Sequence, residues 1–143
     1  MILERFEVPG LAHYSYLLGS NGKAAVIDPE RNAEPYLQVA ERHSLRITHV
    51  LETHIHADYA SGATRLANDT GAELWLSGHD EGEDYQYAFP HREMRDGEEL
   101  RVGDLRIVAV HTPGTRQSTS ASSSMNKAGA ASRWRCCRET SSL

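Results

Sequence analysis

The chain has 143 residues, enough for one domain and too few for two. Apolar residues make up 39% and charged residues 24%, a globular composition, and no apolar run approaches the ~18–20 residues of a transmembrane helix. The net charge of −5 argues against nucleic-acid binding. The N-terminus Met1–Val8 carries acids and does not read as a secretory signal, and the two cysteines, Cys136 and Cys137, are adjacent and give no disulfide framework. A cytoplasmic protein that binds neither membrane nor nucleic acid is the expectation.

Met1–Val8 reads as a strand closed by Pro9-Gly10, Tyr14–Leu18 as a second, and Lys23–Ile27 as a third, with tight turns that predict an antiparallel meander. Ala33–His43 is helical, with Tyr36, Leu37, Val39 and Ala40 on one stripe. Arg46–Glu52 is a strand, Tyr59–Thr70 a helix stopped by Gly71, and Glu73–Ser77 a short strand. Gly78–Arg95 has no clean period and reads as a loop, followed by the hairpin Glu98–Val102 and Leu105–Val110. The order predicts an α/β sandwich in which a mixed sheet carries helices on its outer face.

The strongest local signal is Thr53-His54-Ile55-His56-Ala57-Asp58-Tyr59, at the junction of a strand and a helix. In extended chain, residues two apart project to the same side, so His54 and His56 leave the strand end together, with Asp58 beyond them. Two imidazoles and a carboxylate at a strand's C-terminal edge form a candidate metal site, although a lone His-x-His is as often a pair of solvated loop residues. His111-Thr112-Pro113-Gly114 follows the apolar strand Leu105–Val110 in the same way and makes His111 a third ligand candidate. His79 is a weaker candidate for substrate contact. His13, His43, His49 and His91 read as structural or exposed, and Tyr85 and Tyr87 fit packing better than pocket lining.

These motifs together resemble the metallo-β-lactamase superfamily, whose pattern is T-H-x-H-x-D-H, then H-T-P-G, then an Asp in G-D-x-L-F. Asp28-Pro29 also matches that family's D-P after the third strand. The resemblance spans residues 1–114 and implies the N-terminal half of an αβ/βα sandwich. Tyr59 stands where the two-metal members carry a second His, and a phenol with a pKa near ~10 is a poor zinc ligand at neutral pH. The run ETHIHADYASG is similar to the mononuclear branch of persulfide dioxygenases, including those fused to rhodanese domains. The resemblance implies one Fe(II) per chain, with His54 and His111 as metal ligands and His56 as an outer-sphere or weak ligand. Asp58 would orient an imidazole. His54, His56 and Asp58 form the implied catalytic group, and a small thiol or persulfide and O2 are the implied reactants. The alternative is a Zn(II) thioester hydrolase of the glyoxalase II kind. A homodimer is compatible with the sequence.

The composition breaks near residue 115. Residues 1–114 carry a net charge of −9 and residues 115–143 a net of +4, with 11 Ser and Thr in the latter 29 positions and no Val, Ile, Phe or Tyr. This predicts a disordered tail, 115–143. The family's acidic ligand is missing from it, since Glu139 is its only side-chain carboxylate. Back-translating the tail and reading it one base out, with free codon choice, yields a string that alternates apolar and polar residues and contains S-G-D-F-L-F-V. Met125 and Trp134, which have single codons, are consistent with that frame. The expectation is therefore a one-base deletion near codon 115. A third reading follows for the chain as written: an inactive fragment lacking the Asp ligand.

Overall fold

The computed structural model describes residues 1–7, 14–53, 61–78, 89–112 and 131–138. Its strands are β1 (Ile2–Glu7), β2 (Tyr14–Ser20), β3 (Lys23–Ile27), β4 (Arg46–Leu51), β5 (Glu73–Ser77), β6 (Arg92–Met94), β7 (Glu99–Val102), β8 (Leu105–Thr112) and β9 (Ala131–Arg138). Helix α1 (Glu34–Arg42) lies between β3 and β4, and α2 (Ala63–Thr70) between β4 and β5. One six-stranded sheet has the order β1-β2-β3-β4-β5-β6, and a second has the order β7-β8-β9. The first three strands are antiparallel, as the tight turns predict, and β3 through β6 are parallel to one another.

The centre of the six-stranded sheet is buried on both faces, which explains why Lys23–Ile27 is apolar at every position after the lysine. Leu17, Ala24, Val26, Ile47, Val50, Leu74 and Leu76 face the helices and pack on Tyr36, Val39, Leu66 and Ala67. Leu18, Ala25, Ile27 and Leu51 face the other way and pack on Val102, Leu105, Ile107 and Ala109 of the second sheet. The result is a helix layer on a sheet on a sheet. A register shift between Ala24 and Ala25 pairs them with Ile47 and His49, so that Thr48 is passed over. Ile47 and Val50 can therefore both enter the helix-side core although they are an odd number of residues apart. Among the described residues no helix is long and apolar enough to cross a membrane.

Two expectations need correction. Helix α2 starts at Ala63, so Ser61 and Gly62, read as part of it, precede it, and the Ser61 Oγ accepts the Ala63 N–H at 3.0 Å; Tyr59 lies outside the described residues. Arg92–Met94, read as loop, is β6. Its three residues pair with Trp75–Ser77 and bury Met94, a segment too short for a period to be visible. Within the tail the described residues are Ala131–Arg138, which form β9, antiparallel to β8 from Thr112↔Ala131 to Leu105↔Arg138. An unpaired β8 would present a row of free N–H and C=O groups, and β9 satisfies them. The alternation Arg133-Trp134-Arg135-Cys136 is the short strand signal that the polar composition of the tail conceals.

His49, half-buried on β4, lies 2.8 Å from the Thr48 hydroxyl through Nδ1 and 4.0 Å from Glu73 through Nε2. Burial lowers its pKa from 6.5, and the Glu73 carboxylate only partly opposes this. The unfolded chain therefore binds more protons than the folded one between the lowered value and 6.5. Stability should fall as pH drops below 6.5, and His49→Gln should remove that component. Urea midpoints measured across this range check it, and an unchanged acid slope in the variant would count against the assignment.

Candidate functional site

Strands β3, β4 and β5 are parallel, so their C-terminal ends share one rim of the sheet. Ligand sites in such sheets lie outside those ends. Asp28, directly after β3, is 8% exposed and has a positive φ of 49°. Its N–H donates to the Leu51 carbonyl at 2.8 Å. Its carboxylate accepts the Thr53 N–H at 2.7 Å and the Thr53 hydroxyl at 2.8 Å. Two bonds from two different Thr53 donors fix that residue in position and direction, and His54 is next in the chain.

The following two residues hold the other side of the rim. The Pro29 carbonyl accepts the Gly62 N–H at 3.1 Å. A Cβ at Gly62 would lie 2.0 Å from the Glu30 carbonyl oxygen, so that approach requires glycine. The Glu30 N–H donates to the Tyr36 hydroxyl at 2.9 Å, which leaves the single phenol proton for Ser15 Oγ at 2.7 Å. Burial raises the Tyr36 pKa above 10.0, keeping it neutral and able to serve both bonds. Glu52, 6% exposed, donates its N–H to the Trp75 carbonyl at 3.0 Å, and its side-chain carboxylate accepts the Ser61 hydroxyl.

His111 lies in β8, its backbone opposite Ser132. The turn before β8 abuts the turn between β2 and β3: Ser20 Oγ and Asn21 Nδ2 donate to the Asp104 carboxylate at 3.3 and 3.4 Å. At the same edge, the Arg46 N–H at the start of β4 donates to the Gly22 carbonyl at 2.8 Å. Strands β4 and β8 thus begin at one edge and run away from it through a shared core that contains both Leu51 and Ala109. Residues 53 and 111 lie towards the opposite rim.

His54, His56, Asp58 and Tyr59, with His79, Tyr85, Tyr87 and His13, lie outside the described residues. Among the described residues no group of three His, Cys, Asp or Glu could hold a metal ion. Strand order brings Thr53, which precedes the candidate ligands of segment 54–60, and the backbone of His111 towards one rim, where Asp28, Thr53, Glu52 and Ser61 are tied by hydrogen bonds. His49 sits within the sheet, and the His91 Nδ1 lies 2.9 Å from the Phe89 carbonyl oxygen, in line with structural roles. Sequence reasoning missed Glu52 and Ser61. A Ser-Gly pair just ahead of an apolar helical stripe was the available signal for Ser61.

The model of the metallo-beta-lactamase superfamily matches residues 8–122 of the chain. A hydroxyacylglutathione hydrolase from Anaeromyxobacter dehalogenans is 34% identical over 110 residues, 74% of this chain and 41% of that protein. The cytoplasmic hydroxyacylglutathione hydrolase of Arabidopsis thaliana is 34% identical over 113 residues, 76% of this chain and 42% of that one. Among solved structures, a metallo-beta-lactamase from Staphylococcus aureus superposes with a TM-score of 0.74 at 34% identity, covering 79% of this chain and 34% of that one. ETHE1 from Myxococcus xanthus superposes with a TM-score of 0.68 at 30% identity, covering 80% and 49%. The chain spans less than half the length of these relatives.

Asp28→Ala removes both bonds to Thr53 and should cost on the order of 2–3 kcal/mol in a urea unfolding titration. It should also speed amide exchange at Thr53. Stability and exchange equal to those of the unmodified chain would show that the carboxylate is not what holds the rim.

Proposed function

Because this chain belongs to the metallo-beta-lactamase superfamily, we propose that it carries the metal-ligand half of a one-metal enzyme that oxidises a low-molecular-weight persulfide, such as glutathione persulfide. In the balanced reaction a persulfide, one O2 and one water give the free thiol and sulfite; the sulfane sulfur is oxidised and O2 is reduced. The observation that carries this reading is Tyr59, which stands in T-H-I-H-A-D-Y where the two-metal pattern has an imidazole. A neutral phenol does not replace that ligand near pH 7, so a second cation is not held. The likeness to ETHE1 supports the same direction.

His54 and His111 would hold the metal as neutral imidazoles, with His56 beside them and Asp58 fixing an imidazole's tautomer and ring angle. A bound Fe(II) would supply open coordination positions for the substrate sulfur and for O2. Asp28 and Thr53 fix the backbone from which His54 departs. The second reading, a Zn(II)-dependent thioester hydrolase, is favoured by the names of the curated relatives. Both readings share a glutathione-type thiol substrate.

The family's closing Asp is absent from residues 115–143. We attribute this to a one-base deletion near codon 115, a reading supported by the composition break there and by the nearby end of the family match at residue 122. Sequencing the source DNA across that codon should recover the missing base, and an intact frame would refute the deletion.

The protein from the frame-restored gene, loaded anaerobically with Fe(II), should bind about one metal per chain and consume O2 with glutathione persulfide. His54→Ala and His111→Ala should each abolish metal binding, whereas His56→Ala should lower activity more than metal retention. Metal binding should weaken below about pH 6.5, where imidazole protonates. Two tightly held zinc ions, with hydrolysis of S-lactoylglutathione and no O2 uptake, would replace this reading with the hydrolase.

A further inference from the structure

We propose that Glu52 and Ser61 are positioning residues for the metal site, tying together the two ends of segment 54–60, which carries His54, His56 and Asp58. The inference rests on the metal-binding reading above. Glu52 directly follows β4, and Ser61 is two residues ahead of α2. The Ser61 hydroxyl donates to the Glu52 carboxylate, and its oxygen accepts the Ala63 N–H at 3.0 Å. One serine therefore links the strand end to the first turn of the helix.

The location makes a purely packing role a poor account. Glu52 is 6% exposed, and burying a carboxylate is costly unless it is hydrogen-bonded. An apolar residue at the end of β4 would fill the same space without that cost. What the carboxylate adds is a directional bond between positions 52 and 61, which brings two points of the chain nine residues apart together before any ligand arrives. Other restraints at these positions go to segment 28–30 and to β5: Thr53 to the Asp28 carboxylate, Gly62 to the Pro29 carbonyl, and the Glu52 N–H to the Trp75 carbonyl. The Glu52–Ser61 bond is the side-chain link among the described residues that joins the two ends directly.

The test uses the 143-residue chain and Zn(II) as the probe, with affinity measured by calorimetric titration. Amide exchange of residues 61–63 is followed in the metal-free chain. Glu52→Ala and Ser61→Ala should each weaken Zn(II) binding about tenfold or more and speed exchange at Ala63. Glu52→Gln retains an acceptor and Ser61→Thr a hydroxyl, and both should recover most of the affinity. A purely structural role would lower the unfolding midpoint equally in the alanine variants but leave the affinity of the folded chain unchanged. Equal Zn(II) affinities in all four variants, or failure of both conservative variants to recover binding, would overturn this inference alone. Absence of Zn(II) binding in both the unmodified chain and the frame-restored protein would overturn the metal-binding reading along with it.

Discussion

The rim of this fold depends on one carboxylate. Asp28 takes two donors from Thr53 and gives its own N–H to Leu51, which locks the end of β3 to the end of β4. An ionised carboxylate offers two acceptor oxygens, and bonds to a charged acceptor are stronger than neutral ones. The next residues extend the lock: Pro29 accepts the Gly62 N–H at the start of α2, and Glu30 donates to Tyr36, a fully buried residue of α1. Three consecutive positions thus fix the take-off of the histidine-bearing segment, its re-entry into α2, and the docking of α1.

That lock is useful because of how the two sheets stack. β3 and β4 place apolar side chains on both faces, one set under the helices and one against β7 and β8. The Ser20, Asn21 and Asp104 contacts pin the starts of the strands at one edge, so the ends of β4 and β8 lie towards the other. Residues from two sheets can meet at such a rim while neither sheet deforms. Chemistry placed on that rim can change with loop sequence while the scaffold stays the same.

Much of this was legible in the sequence. Period-two strands, Gly-bearing turns and an amphipathic helix around Tyr36 and Val39 yield the element order through β5 and the β7–β8 hairpin. The T-H-I-H-A-D-Y motif starts at Thr53, just past the end of β4, and the H-T-P-G motif starts at His111 near the end of β8, so both motifs point to strand ends, while residues 54–60 lie outside the described residues. Other features were hidden for physical reasons. The β-bulge at Ala24 and Ala25 is set by pairing with a distant strand, so no local signal announces it. Arg92–Met94 is a strand by virtue of its neighbour Trp75–Ser77 rather than its own propensity. β9 carries three arginines among its eight residues and gains its pairing from the edge of β8. The bond between Glu52 and Ser61 joins residues separated by a loop, and only the fold brings them together.

The central claim is that the ends of β4 and β8 form one metal-binding rim. Titrating Mn(II) into isotope-labelled protein and following paramagnetic broadening of backbone amides tests this directly. The account predicts that signals from Asp28, Thr53, Ser61, Gly78 and Thr112 broaden first and together, while those of Asn21, Arg46 and Asp104 at the opposite edge stay sharp. Broadening centred on that opposite edge, or on the acidic first turn of α1, would contradict it.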